Sequence, residues 1–375
     1  METRTQILVT GIVQGVGFRP YIYSLAKRRK LRGKVFNNES GVFIDVEGDA
    51  GSIDAFINEL RVKPPPLSQI DSVEHNRLAT RAYFDGFQIV SSESHNIKAV
   101  PIAADFSVCA DCLREMFDPN DRRYRYPFIN CTNCGPRFTL VESVPYDRQR
   151  TTMRDFDMCS KCRAEYEDPE DRRFHAEPIC CPNCGPRLFL SELPAIAGGL
   201  TQPIRNPPVI ISQFQPSATA DGSDPLGYAR DLLQNGKILA IKGIGGYHLA
   251  CDALNGDAVE SLRSRKFRED KPFALMAGTP NVVKKYCLVS EAEELLLSSA
   301  ERPIVLLERR PGAKIPDAIA PRLGTLGFML PYTPLHYLLF ENFGGPLVMT
   351  SGNMSDEPIA YTDQDAGERL KDIAD

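Results

Sequence analysis

Eight cysteines fall into four Cys-x-x-Cys pairs, Cys109/Cys112, Cys131/Cys134, Cys159/Cys162 and Cys181/Cys184. Four thiolates suit the tetrahedral coordination of zinc, and a Cys-x-x-Cys turn delivers two of them from one knuckle. The count predicts two zinc ions. A site closed by four protein ligands keeps no position for a substrate, so both sites are expected to be structural, supplying folding energy to segments poor in apolar residues. Spacing does not fix whether the pairs close within or across repeats; closure within each repeat is the expectation. Cys180, beside Cys181, is the spare. His175 could ligate, but the cysteine count is complete, so it is read as a surface or interface residue, with a place along a substrate passage left open. A disulfide framework is disfavoured by the spacing. A nucleic-acid finger would draw on the Arg pairs, but aspartates surround them.

A second chemistry-bearing stretch is Gly11-Ile-Val-Gln14-Gly15-Val16-Gly17-Phe18-Arg19-Pro20. Glycines let successive backbone N–H groups turn inward, and such a nest at a helix N-terminus binds phosphate. Arg19 can add a bidentate grip on two phosphate oxygens. Three further groups lie toward the C-terminus: Lys242 before Gly243-Ile-Gly-Gly246, the cluster Arg265-Lys266-Phe-Arg268-Glu-Asp-Lys271, and Ser351-Gly-Asn353. Taken singly, these read as a turn and a solvated basic cluster.

The elements that must position these residues follow from periodicity. Ile7 to Val13 is β-rich, and Val42, Ile44 and Val46 alternate as a half-buried strand would. Phe18, Ile22 and Leu25 recur at helical spacing; Ile53, Phe56, Ile57 and Leu60 mark a second helix, with Ser52 as its expected N-cap and Pro64-Pro65-Pro66 as its stop. A last strand is placed near Phe87 to Val90. The order strand–helix–strand–strand–helix–strand is that of a ferredoxin-like sandwich. Residues 105–190 lack apolar periodicity and repeat at an offset of 50: Asp118-Pro119 returns as Asp168-Pro169, Asp121-Arg122-Arg123 as Asp171-Arg172-Arg173, and Asn133-Cys-Gly-Pro-Arg137 as Asn183-Cys-Gly-Pro-Arg187. A Pro-rich connector at 191–223, with a short strand at Val209 to Ile211, leads to an α/β segment. There a helix is expected at Leu226–Gln234 and strands at Ile238–Lys242, Phe273–Met276, Ile304–Glu308 and Leu347–Thr350.

The net charge of −5 argues against nucleic acid as the main partner. The basic run Lys27-Arg28-Arg29-Lys30 reads instead as a solvated helix end. No apolar run approaches the roughly 20 residues of a membrane span, no signal peptide opens the chain, and thiolate pairs fit a reducing compartment, so a cytoplasmic location without membrane contact is expected.

The glycine loop with Gly33-Lys-Val35-Phe-Asn37 and Gly41 closely resembles the acylphosphatase signature. The three-part order resembles the N-terminal half of the HypF family of carbamoyltransferases, which act in maturation of [NiFe]-hydrogenase. The resemblance implies an α+β multidomain chain: a ferredoxin-like acylphosphatase-like domain at 1–91, a duplicated zinc-finger domain at 105–190, and an α/β YrdC-like nucleotide-binding domain at 224–375. It implies that Arg19 holds a phosphoryl group on the loop Gln14–Phe18 while Asn37 orients the attacking water. It also implies that Lys242, Lys266, Arg268, Lys271, Ser351 and Asn353 meet ATP, with Mg, and an anionic acceptor. Carbamoyl phosphate would give carbamate, then carbamoyl-adenylate, for transfer to the C-terminal cysteine of HypE. Members of the family continue into a large transferase domain, whereas this sequence stops at Asp375, so a truncated YrdC-like domain is expected. An inactive zinc scaffold and a threonylcarbamoyl-adenylate synthase are the alternatives. The pair Arg19 and Asn37 argues against the first, and the loop and the repeats argue against the second.

Overall fold

The computed structural model describes residues 2–79, 82–92, 101–190 and 224–375. The connector expected at 191–223, with its strand at Val209–Ile211, lies outside the described residues. Packing divides the chain into two compact units, Met1–Cys112 with Ile129–Gly185, and Leu113–Phe128 with Pro186–Asp375.

The first unit opens with β1 (Glu2–Ile12), α1 (Phe18–Arg28), β2 (Arg32–Asn38), β3 (Gly41–Asp49), α2 (Ala50–Val62), β4 (Gln69–Leu78) and β5 (Phe87–Ile89). The sheet order is β4-β1-β3-β2-β5; the pairs are antiparallel except β2–β5. This is the ferredoxin-like arrangement. Ile7, Val9, Val42, Ile44 and Val46 from the sheet pack in one core with Ile22, Leu25, Ile53, Phe56 and Leu60 from the helices, all fully buried. At about 1.5–3 kcal/mol per buried large side chain, this apolar set dominates the unit's stability.

Two expectations need correction. The strand that completes the motif is β4, not the segment near Phe87. That segment, β5, only adds an edge parallel to β2. The N-cap of α2 is Asp49, whose carboxylate accepts from the N–H groups of Gly51 (3.0 Å) and Ser52 (3.2 Å), so Ser52 lies inside the first turn. The helix ends at Val62, ahead of the triple proline, and Lys27 and Arg28 fall in the last turn of α1, where cations are favoured.

The two copies of the repeat carry α3 (Ala110–Phe117) and α4 (Ser160–Glu167) at matched positions. Their backbones match in detail. Arg125 and His175 both have positive φ, 54° and 52°. The Arg125 N–H donates to Met116 O at 2.8 Å, and the His175 N–H to Tyr166 O at 3.0 Å.

The second unit adds α5 (Pro225–Gln234), β6 (Leu239–Gly243), β7 (Gly246–Asp252), α6 (Gly256–Arg265), β8 (Ala274–Met276), α7 (Pro280–Val283), α8 (Glu291–Ser298), β9 (Val305–Glu308), β10 (Thr325–Met329), α9 (Pro334–Leu339), β11 (Leu347–Ser351) and α10 (Asp363–Arg369). Its sheet runs β6-β7-β11-β8-β10-β9, with β8 and β10 parallel. Leu249, Leu275, Phe328 and Val348 bury one face against Val259, Leu262, Leu297 and Leu370. The expected helix and four strands are present within a residue or two, and β7 and β10 are additional.

Candidate functional site

The glycine loop forms the floor of a cleft within the first unit. Gly15 and Gly17 sit at φ 75° and 71°, a left-handed backbone in which a side chain is strained, and Gly17 caps α1. The Gln14 side chain pins the loop. Its Nε2 donates to Asn38 O and Gly41 O, both at 2.8 Å, and its Oε1 accepts from the Tyr146 N–H at 2.9 Å. Val16 and Phe18 are buried in the core, so they can serve a phosphate only through their backbone N–H groups.

Arg19 and Asn37 both line this cleft. The Asn37 Nδ2 donates to Tyr146 O at 3.0 Å, while its buried Oδ1 has no hydrogen-bond partner among the described residues. Arg19 Nη1 donates to Asp147 at 2.7 Å, and Nη2 to Glu177 at 2.5 Å and Tyr146 O at 3.4 Å; Nε takes no part in these bonds. Burial works against the guanidinium charge, but Glu177 and Asp147 outweigh it and hold Arg19 above its ordinary value. Burial pushes the Glu177 carboxyl up against the pull of Arg19. Glu177 also accepts from Tyr166 OH (2.9 Å) and the Arg148 N–H (3.0 Å).

Tyr146, Asp147, Tyr166 and Glu177 were not singled out from the sequence. A signal was present: the repeat breaks at Arg125-Tyr126-Pro127-Phe128 against His175-Ala176-Glu177-Pro178. For His175 the structure agrees with the passage alternative rather than a plain surface position. It is half-buried and lines the cleft, packed on Tyr166 and Phe174 at ring separations of 4.8 and 4.7 Å. Burial, then Arg19, lowers it to about 3, so the ring is neutral at pH 7.

The eight paired cysteines gather as two clusters, each within one repeat. In the first, Sγ separations are 3.7 Å for Cys109–Cys131 and Cys131–Cys134 and 3.5 Å for Cys112–Cys134. In the second they are 3.8 Å for Cys159–Cys181, 3.7 Å for Cys181–Cys184 and 3.5 Å for Cys162–Cys184. A tetrahedron with Zn–S near 2.3 Å has edges of about 3.8 Å, so both donor sets fit zinc. Arg172 Nη2 lies 3.2 Å from Cys112 Sγ, so the second copy sends a cation to the first cluster. Cys180 stays outside both groups.

In the second unit Lys266, Ser351 and Asn353 come together. Lys266 Nζ donates to Ser351 O (2.7 Å) and to Asn353 O and Oδ1 (the latter 2.6 Å), and Ser351 Oγ bonds Asn353 Oδ1 at 2.7 Å. Among the described residues no carboxylate pairs with this ammonium. Burial, then Arg268 and Lys271, lowers Lys266 to about 8. Arg268 lies over the Phe273 ring at 4.9 Å, and Lys271 is exposed. Lys242 is instead paired with Asp363, which also accepts from Tyr247 OH at 2.7 Å.

Three family models match in chain order: acylphosphatase at 5–89, HypF finger at 108–141 and 158–191, and the Sua5/YciO/YrdC model, described as telomere recombination, at 231–375. Fold and site thus define a chain that joins an acylphosphatase-like domain to a duplicated cysteine finger and a YrdC-type domain. The relatives share this whole architecture. The chain is 46% identical to carbamoyltransferase HypF2 of Cupriavidus necator over 99% of its length and 45% of that protein, and 47% identical to carbamoyltransferase HypF of Rhodobacter capsulatus over 99% and 46%. A full-length HypF in phosphate- and nucleotide-bound form superposes with a TM-score of 0.89 at 48% identity, covering 100% of this chain and 46% of that one. The chain belongs to the HypF family and spans about half the length of these relatives. Among the described residues no helix is long and apolar enough to cross a membrane.

Proposed function

We propose that the cleft around Arg19 hydrolyses carbamoyl phosphate and that the site around Lys266 uses ATP, with Mg, to convert the carbamate to carbamoyl-adenylate. The carbamoyl group then goes to the C-terminal cysteine of HypE, toward the cyanide ligand of [NiFe]-hydrogenase. The observation that carries this reading is the convergence of Arg19 and Asn37 on the positive-φ glycine loop, with Asn37 Oδ1 buried and without a partner among the described residues. A fixed acceptor of that kind orients a water for attack, while N–H groups and a guanidinium offset charge on the phosphoryl oxygens.

The relatives are carbamoyltransferases, which supports the carbamoyl group, and the solved full-length HypF is bound to phosphate and nucleotide, which supports the two anionic ligands. Among the described residues Lys266, Arg268 and Lys271 pair with no carboxylate, and their charge suits a polyphosphate, with Ser351 and Asn353 as its polar neighbours; Lys242 is held by Asp363. The two cysteine clusters hold one structural zinc each, and reduced thiolates suit a cytoplasmic enzyme. For segment limits we keep 1–91, 105–190 and 224–375.

The test is phosphate release from carbamoyl phosphate. The wild-type chain should release it, and Arg19→Ala should lower kcat/KM by about 10²- to 10³-fold, the cost of losing one preorganised donor. Undiminished release by a folded Arg19→Ala variant would remove the assignment.

A further inference from the structure

The cleft has two walls within the first unit. The loop from Val13 to Pro20 and Asn37 form one; Thr132, Arg137, Tyr146 and the stretch His175–Pro178 form the other. With a phosphoryl group on the loop and Arg19, an acyl substituent directed across the cleft would meet the second wall. Two charged side chains belong to that wall. Arg137 is spent on backbone carbonyls, those of Gly15, Pro136, Cys131 and Thr132. Glu177 is not spent: Oε2 accepts from Tyr166 OH and the Arg148 N–H, whereas among the described residues Oε1 accepts only from Arg19 and keeps a lone pair. The neighbouring Tyr146 carbonyl already accepts twice, from Asn37 and Arg19. Asp147 and Glu177 both pair with Arg19, so a bound phosphoryl group shares that guanidinium with two carboxylates.

We propose that Glu177 is the specificity-determining residue of the cradle, its Oε1 accepting a hydrogen bond from an N–H of the acyl group. The site then takes carbamoyl phosphate in preference to acyl phosphates that end in an alkyl group. This rests on the hydrolase reading above and adds the residue that selects among its substrates. A methyl group facing Oε1 makes no hydrogen bond and keeps water from making one. A hydrogen bond to a charged group corresponds to a discrimination on the order of 10- to 100-fold.

The experiment compares kcat/KM for carbamoyl phosphate and acetyl phosphate in the full chain and in Glu177→Met, which keeps the length and removes the acceptor. The wild type should favour carbamoyl phosphate at least tenfold, and the variant should lose most of that ratio while both absolute rates change. Loss of Arg19 positioning alone would lower both substrates together and leave the ratio, and that result overturns the proposal. If Glu177→Met does not fold, the wild type is read with inert analogues. Carbamoyl phosphonate should inhibit at least tenfold more tightly than acetyl phosphonate, and equal inhibition overturns the proposal. Turnover of neither substrate by the wild type would instead refute the hydrolase reading itself, and the selectivity with it.

Discussion

The two copies of the cysteine repeat hold the same backbone and put it to different uses. Asp121 and Asp171 each accept from the N–H two residues on at 2.7 Å, and Asp118 and Asp168 do the same at 2.9 Å. Between the shared Asp-Arg-Arg and the shared Ile the copies differ at five consecutive positions, Tyr124–Phe128 against Phe174–Pro178. In the first copy Arg125 pairs with Glu341, and Tyr126 OH donates to Pro186 O at 3.0 Å, all within the second compact unit. In the second copy His175 and Glu177 line the cleft of the glycine loop, and Glu177 holds Arg19. The clustered cysteines act as a fixed frame, and the short stretch ahead of the third cysteine is free to take on whatever partner surrounds it.

The largest expected effect tests the frame itself. Cys131→Ser and Cys181→Ser should each lower the zinc content from two ions to one, and Cys180→Ser should keep both. A structural zinc site contributes about 10–16 kcal/mol in isolated fingers, comparable with the whole stability of a domain, so each loss should also unfold its copy. Elemental analysis with circular dichroism decides this; metal loss in Cys180→Ser with retention in Cys181→Ser would mean the two copies are out of register.

The next effect separates the copies. Glu177→Ala leaves Arg19 buried beside a single carboxylate and should cost about 3–5 kcal/mol. Arg125→Ala removes a partly exposed pair and should cost about 1 kcal/mol or less. Urea unfolding monitored on both variants checks the inequality, and equal losses would erase the distinction between a buried and a rim contact.

The remaining effect is titratable and absent at neutral pH. His175 is depressed to about 3 in the folded chain, below the ordinary 6.5. The unfolded chain therefore takes the proton first as pH falls, and stability is full above about pH 6.5 and declines toward pH 3. By pH 5 the loss should reach about 2 kcal/mol. In His175→Gln this part of the decline should vanish, with the two curves converging above pH 7. Arg125, at the matching position, stays charged throughout and contributes no such slope.

Much of this was legible in the amino-acid sequence because it depends on local spacing. The thiolate pairs, the glycine loop, and the alternation of Val42, Ile44 and Val46 each leave a short-range pattern. β4 left none: Gln69–Leu78 is an edge strand with mostly exposed or half-buried side chains, so no apolar alternation was imposed on it. Asp49 was passed over as a cap because α2 starts three residues before its first apolar anchor, Ile53. The partners of Arg19 are separated from it by 128 and 158 residues, and only tertiary packing brings them to it. Lys242 fits its sequence motif, but its pairing with Asp363 spans 121 residues and is invisible to spacing.

The central claim is that a water oriented by Asn37 attacks the phosphorus atom of a phosphoryl group held by Arg19. Hydrolysis of carbamoyl phosphate in ¹⁸O-water, with the mass of the released phosphate read by spectrometry, tests it directly. The account predicts one ¹⁸O atom in each phosphate released by the wild-type chain above the uncatalysed background. Unlabelled phosphate would place the cleavage at the carbon–oxygen bond and contradict the roles given to Arg19 and Asn37.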